Sequence, residues 1–121
     1  MKAVVDTNIL VDYLQGVAAA RNELTNYAAP LISLVTWMEI MVGAETSDEE
    51  THLRSFLKRF EVHPITTPIA ERAVAIRRES RQRLPDAIIW ATAQELGFIL
   101  VTRNTRDFPS NHPGIRVPYR L

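Results

Sequence analysis

The segment that most constrains the fold of this 121-residue chain runs from Asp86 to Leu96. Pro85 is a favourable helix start, and Ala87-Ile88-Ile89-Trp90-Ala91 leaves the helix that follows almost no polar face. A helix apolar on nearly every side must be buried on most sides. Gly97 supplies its C-terminal stop, and Phe98-Ile99-Leu100-Val101-Thr102 then reads as the clearest strand in the chain.

The rest of the chain alternates in the same way. Val4-Val5 is a short β-branched run, a buried strand starting at Lys2. Asp6-Thr7-Asn8 offers capping side chains before a helix carrying Ile9-Leu10 and Tyr13-Leu14. A second helix is expected over Ala18 to Tyr27. Leu31-Ile32-Ser33 reads as a brief strand after Pro30, with a helix from about Thr36 to Ala44. Ser47-Asp48-Glu49-Glu50 has the capping-box form and should open a helix to about Phe60, with Leu53, Phe56, Leu57 and Phe60 inward. Glu61 to Ile65 is a candidate edge strand, because Pro64 cannot donate to a ladder. Thr67-Pro68 opens a helix ending near Arg83, with Ile69, Ala73, Ile76 and Ser80 inward. Strands alternating with helices predict one α/β domain over residues 1–121, layered around a short parallel sheet.

Composition narrows the function classes. No apolar run approaches the roughly 20 residues of a membrane span, and the N-terminus lacks the apolar core of a signal peptide. There is no cysteine, hence no disulfide framework and no thiolate chemistry, which suits the cytoplasm. Formal net charge is zero, which argues against non-specific coating of a polyanion. Locally the balance differs, since Arg72, Arg77, Arg78, Arg81 and Arg83 face only Glu79. The three histidines, His52, His63 and His112, show no zinc-ligand spacing.

In open parallel sheets, ligands bind beyond the carboxyl ends of the strands. Asp6 follows the first strand, and Asn104 and Asp107 follow the strand ending at Thr102. Asp86 heads the buried helix and Glu39 lies in the first turns of another. If those helices start at the same sheet edge, four carboxylates meet there. Two carboxylates at ~4 Å repel by roughly 4 kcal/mol at an effective dielectric near 20, so a cluster calls for a cation, shared protons or strong donors. Oxygen-only ligands favour Mg²⁺ or Mn²⁺, ions suited to phosphoryl chemistry. Each acid also has a structural reading. Asp6 can cap its helix, Glu39 can close a capping box with Thr36, Asp86 can serve the helix dipole, and Asp107 can order a turn with Asn104.

Taken together, these segments resemble the motifs of the PIN-domain nucleases. Val4-Val5-Asp6-Thr7-Asn8-Ile9-Leu10 is similar to the opening motif. Ser33, Thr36, Glu39 and Gly43 resemble the second, and Leu84-Pro85-Asp86 through Ala93 the third. Leu100-Val101-Thr102-Arg103-Asn104-Thr105-Arg106-Asp107-Phe108 resembles the fourth, and the chain is most similar to the VapC toxins within that family. The resemblance implies a three-layer α/β/α fold with a short, mainly parallel central sheet. It implies an endoribonuclease of a toxin–antitoxin pair, with Asp6, Glu39, Asp86 and Asp107 binding Mg²⁺ or Mn²⁺. Thr7, Asn8, Thr102 and Asn104 would support the site, and Arg77, Arg78 and Arg81 would steer RNA. A homodimer and a VapB-like antitoxin partner are also implied.

Other readings have specific failings. A phosphatase of the haloacid-dehalogenase type needs a second acid two places after the first, where Asn8 stands. A response-regulator receiver needs a mid-chain Asp ending a strand, whereas Asp48 lies in a helix cap. The remaining alternative is a PIN fold that binds RNA or protein without cutting. Acids in all four motifs argue against it.

Overall fold

The computed structural model describes residues 2–121. Five short strands form one sheet: β1 (Ala3–Val5), β2 (Leu31–Ser33), β3 (Glu61–His63), β4 (Ile99–Val101) and β5 (Ile115–Arg116). Their order is β3-β2-β1-β4-β5, and every neighbouring pair is parallel. The chain winds from β1 outward through β2 to β3, then crosses back to place β4 on the other side of β1. Connections leaving β1 and β4 therefore diverge, and a crevice opens between them at the carboxyl edge.

The helices are α1 (Thr7–Leu14), α2 (Ala18–Leu24), α3 (Leu34–Met41), α4 (Ser47–Leu57), α5 (Thr67–Ser80) and α6 (Leu84–Leu96). Strand alternation sorts the core into two faces. Ala3, Val5, Ile32 and Val101 pack with Ile9, Leu10, Ala20, Phe56 and Leu57 of the helices α1, α2 and α4. Val4, Leu31 and Leu100 pack with Ile89, Trp90 and Ala93 of α6, with Phe108 and Ile115 beside them. Ala87 and Ala91 let α5 approach α6 through Ile69 and Ala73. The helix α6 is buried along most of its length, as its sequence requires.

Several boundaries differ from the sequence reading. Ser33, not Thr36, caps α3 by accepting from the Val35 N–H, which leaves Thr36 buried and Glu39 free of any capping role. Thr46, not Ser47, caps α4, and its box closes with Glu49 rather than Glu50. The cap of α5 is Thr66, so Pro68 falls one place further in. That helix stops at Ser80, which is exposed rather than inward, because Arg81 turns into the left-handed region at φ 60°. The strand β5 was not anticipated. Its two residues are defined by bonds from the Leu100 and Thr102 N–H groups to the Gly114 and Arg116 carbonyls, not by any local pattern.

Two buried ion pairs tie the far ends of the chain to the first helices. Asp12, 2% exposed, accepts a fork from Arg103 at 2.6 and 3.0 Å and a bond from the Tyr119 hydroxyl at 2.8 Å. Glu23, 5% exposed, accepts from Arg116 at 2.7 and 2.9 Å and from Tyr27 at 2.6 Å. Burial alone would raise the Glu23 pKa, but the Arg116 guanidinium and Tyr27 hydroxyl outweigh it and hold the carboxyl below its ordinary 4.5. A depressed carboxyl contributes stability above its unfolded pKa and loses it as pH falls through the folded one. Glu23→Gln should therefore lower unfolding free energy near pH 7 by about 2–3 kcal/mol, since Arg116 is itself half-exposed and partly screened. It should also flatten the acid limb below pH 4.5, both read by urea unfolding across a pH series.

Candidate active site

The crevice between the ends of β1 and β4 is where the acidic residues meet. Val4 and Val5 hold β1 in the sheet centre, so Asp6 emerges at its carboxyl end while still 3% exposed. Its backbone N–H donates to the Val101 carbonyl at 2.9 Å, carrying the β1–β4 ladder one residue further. Asp6 caps α1, with Oδ1 accepting from the Thr7 N–H at 2.7 Å. Oδ2 accepts from the Thr102 hydroxyl at 2.7 Å and from Asn8 Nδ2 at 3.2 Å. Thr102 Oγ1 in turn accepts from the Asn104 N–H at 2.9 Å, and Asn8 Oδ1 from the Arg103 N–H at 3.2 Å. Capping and site placement are thus the same geometry.

Glu39 reaches the crevice from α3. Its Oε1 accepts from the Thr7 hydroxyl at 2.7 Å, and that hydroxyl lies 2.9 Å from the hydroxyl of buried Thr36. Asp86 enters from the first turn of α6 and is 6% exposed. Its Oδ2 lies 3.4 Å from both Nε and Nη2 of Arg83, a long contact to a mostly exposed side chain. These three acids line one cleft of about 270 Å³ together with Thr7, Asn8 and Asn104, and with Arg83 and Arg103 as its cations.

The electrostatics match the crowding. Burial pushes the Asp6 carboxyl up to about 6, against the Thr102 and Thr7 bonds that favour its ionised form, and the Asp86 and Glu39 charges add to the rise. Asp86 is raised too, by burial first; Arg83 opposes the shift and Asp107 adds to it. The cleft holds more negative charge than its own hydroxyl and arginine donors offset.

Asp107 stands differently from the other three. It is exposed and lines a neighbouring hollow beside Trp90 and Pro109, not the cleft itself. Its Oδ2 accepts from Asn104 Nδ2 at 2.9 Å, while Asn104 Oδ1 accepts from the N–H groups of Arg106 and Asp107. Asn104 therefore occupies the cleft wall and holds Asp107 behind it. Arg77, Arg78 and Arg81 are exposed at the end of α5 and form no ion pair among the described residues. They do not line the cleft. Arg83, Arg103 and Gln82 were not singled out from the sequence. The fork from Arg103 to Asp12 spans 91 residues, and no local pattern encodes it.

The chain is similar to known proteins over nearly its whole length. The PIN domain family model matches residues 3–111. The chain is 36% identical over 114 residues to Ribonuclease VapC10 of Mycobacterium tuberculosis, a match covering 88% of this chain and 85% of that protein. It is 33% identical over 119 residues to the tRNA(fMet)-specific endonuclease VapC of Shigella flexneri, covering 89% and 90%. Among solved structures, a toxin–antitoxin complex from Klebsiella pneumoniae contains a chain with 46% identity and a TM-score of 0.91, covering 98% of this chain and 99% of that one. DNA-bound VapBC from Salmonella typhimurium contains one with 29% identity and a TM-score of 0.78, covering 96% of each. With these likenesses spanning nearly its whole length, and its acids gathered at the β1–β4 crevice, the chain belongs to the PIN-domain family, among its VapC ribonucleases.

Proposed function

We infer that this chain is the endoribonuclease toxin of a toxin–antitoxin pair, hydrolysing RNA phosphodiester bonds with a divalent ion held in the acidic cleft. The observation that carries the reading is the meeting of Asp6, Glu39 and Asp86 at the switch point of a VapC-family fold. Its VapC relatives are ribonucleases by name, and the Klebsiella and Salmonella neighbours are toxins solved with their antitoxins. A VapB-like antitoxin is accordingly the expected partner, and a homodimer the expected assembly. Among the described residues no helix is long and apolar enough to cross a membrane, and an RNA substrate fits action in the cytoplasm.

The donor set fits Mg²⁺ or Mn²⁺. Every candidate ligand is an oxygen, and Asp6, Glu39 and Asp86 share the cleft with neutral donors and the long Arg83 contact as their partners. Among the described residues no three acidic, histidine or cysteine side chains form a ready-made cage. Mg²⁺ does not need one, because it keeps several waters and binds through one or two carboxylates. Asp6, Glu39 and Asp86 would hold the ion, with Asn104 or Asp107 completing the set. When bound, the ion supplies Lewis acidity that activates water and offsets charge on the phosphate.

The chain's own groups do the positioning. Thr102, Asn8 and the Thr7 N–H fix the Asp6 carboxylate, and the Thr7 hydroxyl fixes Glu39. Arg83 and Arg103 place positive charge on the cleft wall, where a phosphate must sit. Arg77, Arg78 and Arg81 extend that charge along the approach to it, a salt-sensitive steering role.

Incubating antitoxin-free protein with total cellular RNA should give cleavage that requires Mg²⁺ or Mn²⁺ and stops with EDTA. Asp86→Asn should reduce the rate by roughly two orders of magnitude or more, because the ion that would offset transition-state charge loses a carboxylate that holds it. No cleavage of any cellular RNA by folded, metal-loaded protein would favour the binding-only PIN module instead.

Asp6 generates a second prediction. A carboxyl raised from 3.8 to about 6 binds its proton more tightly when folded, so it favours folding at low pH and opposes it as pH rises through 6. At pH 7 and without metal the penalty is about 3 kcal/mol. Asp6→Asn should therefore be inactive yet, in EDTA at pH 7.5, more stable than wild type by about 1–3 kcal/mol. The gap should close below pH 4, as followed by thermal melting.

A further inference from the structure

We propose that Gln82 is a positioning residue for the acidic cleft, its carboxamide holding the loop that carries Asn104 and Asp107 at a working distance from Asp86. The proposal rests on the metal-dependent reading above and adds to it a residue that touches neither the ion nor the RNA.

Gln82 sits at the junction of α5 and α6, between two exposed arginines, yet is only 7% exposed. The left-handed turn at Arg81 breaks the helical path, so that Gln82 faces inward while Arg81 and Arg83 face solvent. Its Nε2 donates to the backbone carbonyl of Asp107 at 2.6 Å, across 25 residues of sequence. Among the described residues this is the one hydrogen bond between the α5–α6 junction and the loop after β4. The loop's other bonds are internal, Asn104 Oδ1 accepting from Arg106 and Asp107 and the Phe108 N–H donating to the Asn104 carbonyl, or run from Arg103 and Asn104 to Asn8 and Asp12 in α1 and to Thr102. They give the loop its shape, and Phe108 seats it against Trp90. Its polar tie to the segment that presents Asp86 is left to Gln82.

The second half of the carboxamide makes the case sharper. Gln82 Oε1 is buried and has no protein partner among the described residues. Leaving a buried acceptor unmet costs stability, and an apolar side chain of the same length would remove that cost. With Oε1 unpaired, the directed Nε2 bond to Asp107 is the contact that distinguishes a carboxamide from an apolar side chain here. Whether Asn104 or Asp107 completes the donor set, this bond is the polar tie between the loop that bears both and the segment that presents Asp86.

The test uses the whole chain as wild type, Gln82→Met and Asp86→Asn. Mn²⁺ binding is read by titration calorimetry, melting temperature in EDTA, and cleavage rate against Mn²⁺ concentration. For Gln82→Met we expect a melting temperature at or above wild type and Mn²⁺ affinity weakened about tenfold or more. Most of the cleavage rate should return at saturating Mn²⁺. An unchanged Mn²⁺ isotherm overturns the proposal. So does a lowered melting temperature, with or without weaker binding, because Gln82 would then serve the fold alone. If wild type itself neither binds Mn²⁺ nor cleaves RNA, and matches Asp86→Asn, the metal-dependent reading fails and takes this one with it.

Discussion

The pairing of β1 with β4 is the interaction on which the rest of the structure depends. Ala3, Val4 and Val5 align with Ile99, Leu100 and Val101, and the ladder continues into the Asp6 N–H and the Val101 carbonyl. That register brings Thr102 against Asp6, although 96 residues separate them. Shifting it by one residue would turn Asp6 toward the other face of the sheet and empty the cleft. Both strands are buried on two faces, so the register is strongly held by packing on either side.

The site built on that pairing works against the fold. Asp6 and Asp86 are buried acids whose proton affinity rises because burial and neighbouring acids disfavour their charge. The remainder of the molecule offsets the strain with apolar layers above and below the sheet and two buried ion pairs at its flanks. Asp12–Arg103 and Glu23–Arg116 differ from the cleft in a specific way: each acid there has a forked arginine partner. In the cleft Asp86 has only the long contact to Arg83, and Asp6 and Glu39 have only neutral donors. Among the buried acids of the described residues, those of the cleft are the ones left without a close cation.

Much of this was legible in the residues. The apolar run after Asp86 demanded a buried helix, and Asp6-Thr7-Asn8 after Val4-Val5 announced a strand passing into a capped helix; both stand as expected. The PIN-like arrangement of motifs was also readable, because their order and spacing carry across nearly the whole chain. Caps were read less well. Ser33 and Thr46 each lie within three residues of another hydroxyl, Thr36 and Ser47, and only the direction of the incoming chain decides which one accepts the free N–H groups. The two-residue strand β5 and the inward turn of Gln82 had no local signal at all.

By itself, then, the sequence determined the order of elements up to β4, the buried helix and the set of acids, because periodicity and capping chemistry act over a few residues. Only the tertiary structure decided which acids share a wall. It placed Asp6, Glu39 and Asp86 in one cleft and set Asp107 behind Asn104. It also chose the cations, since Arg83 and Arg103 line the cleft while Arg77, Arg78 and Arg81 are exposed and do not. The physical reason is that charge separation and hydrogen-bond direction depend on distances between segments far apart in the chain. Those distances exist only once the parallel register of β1 and β4 is made.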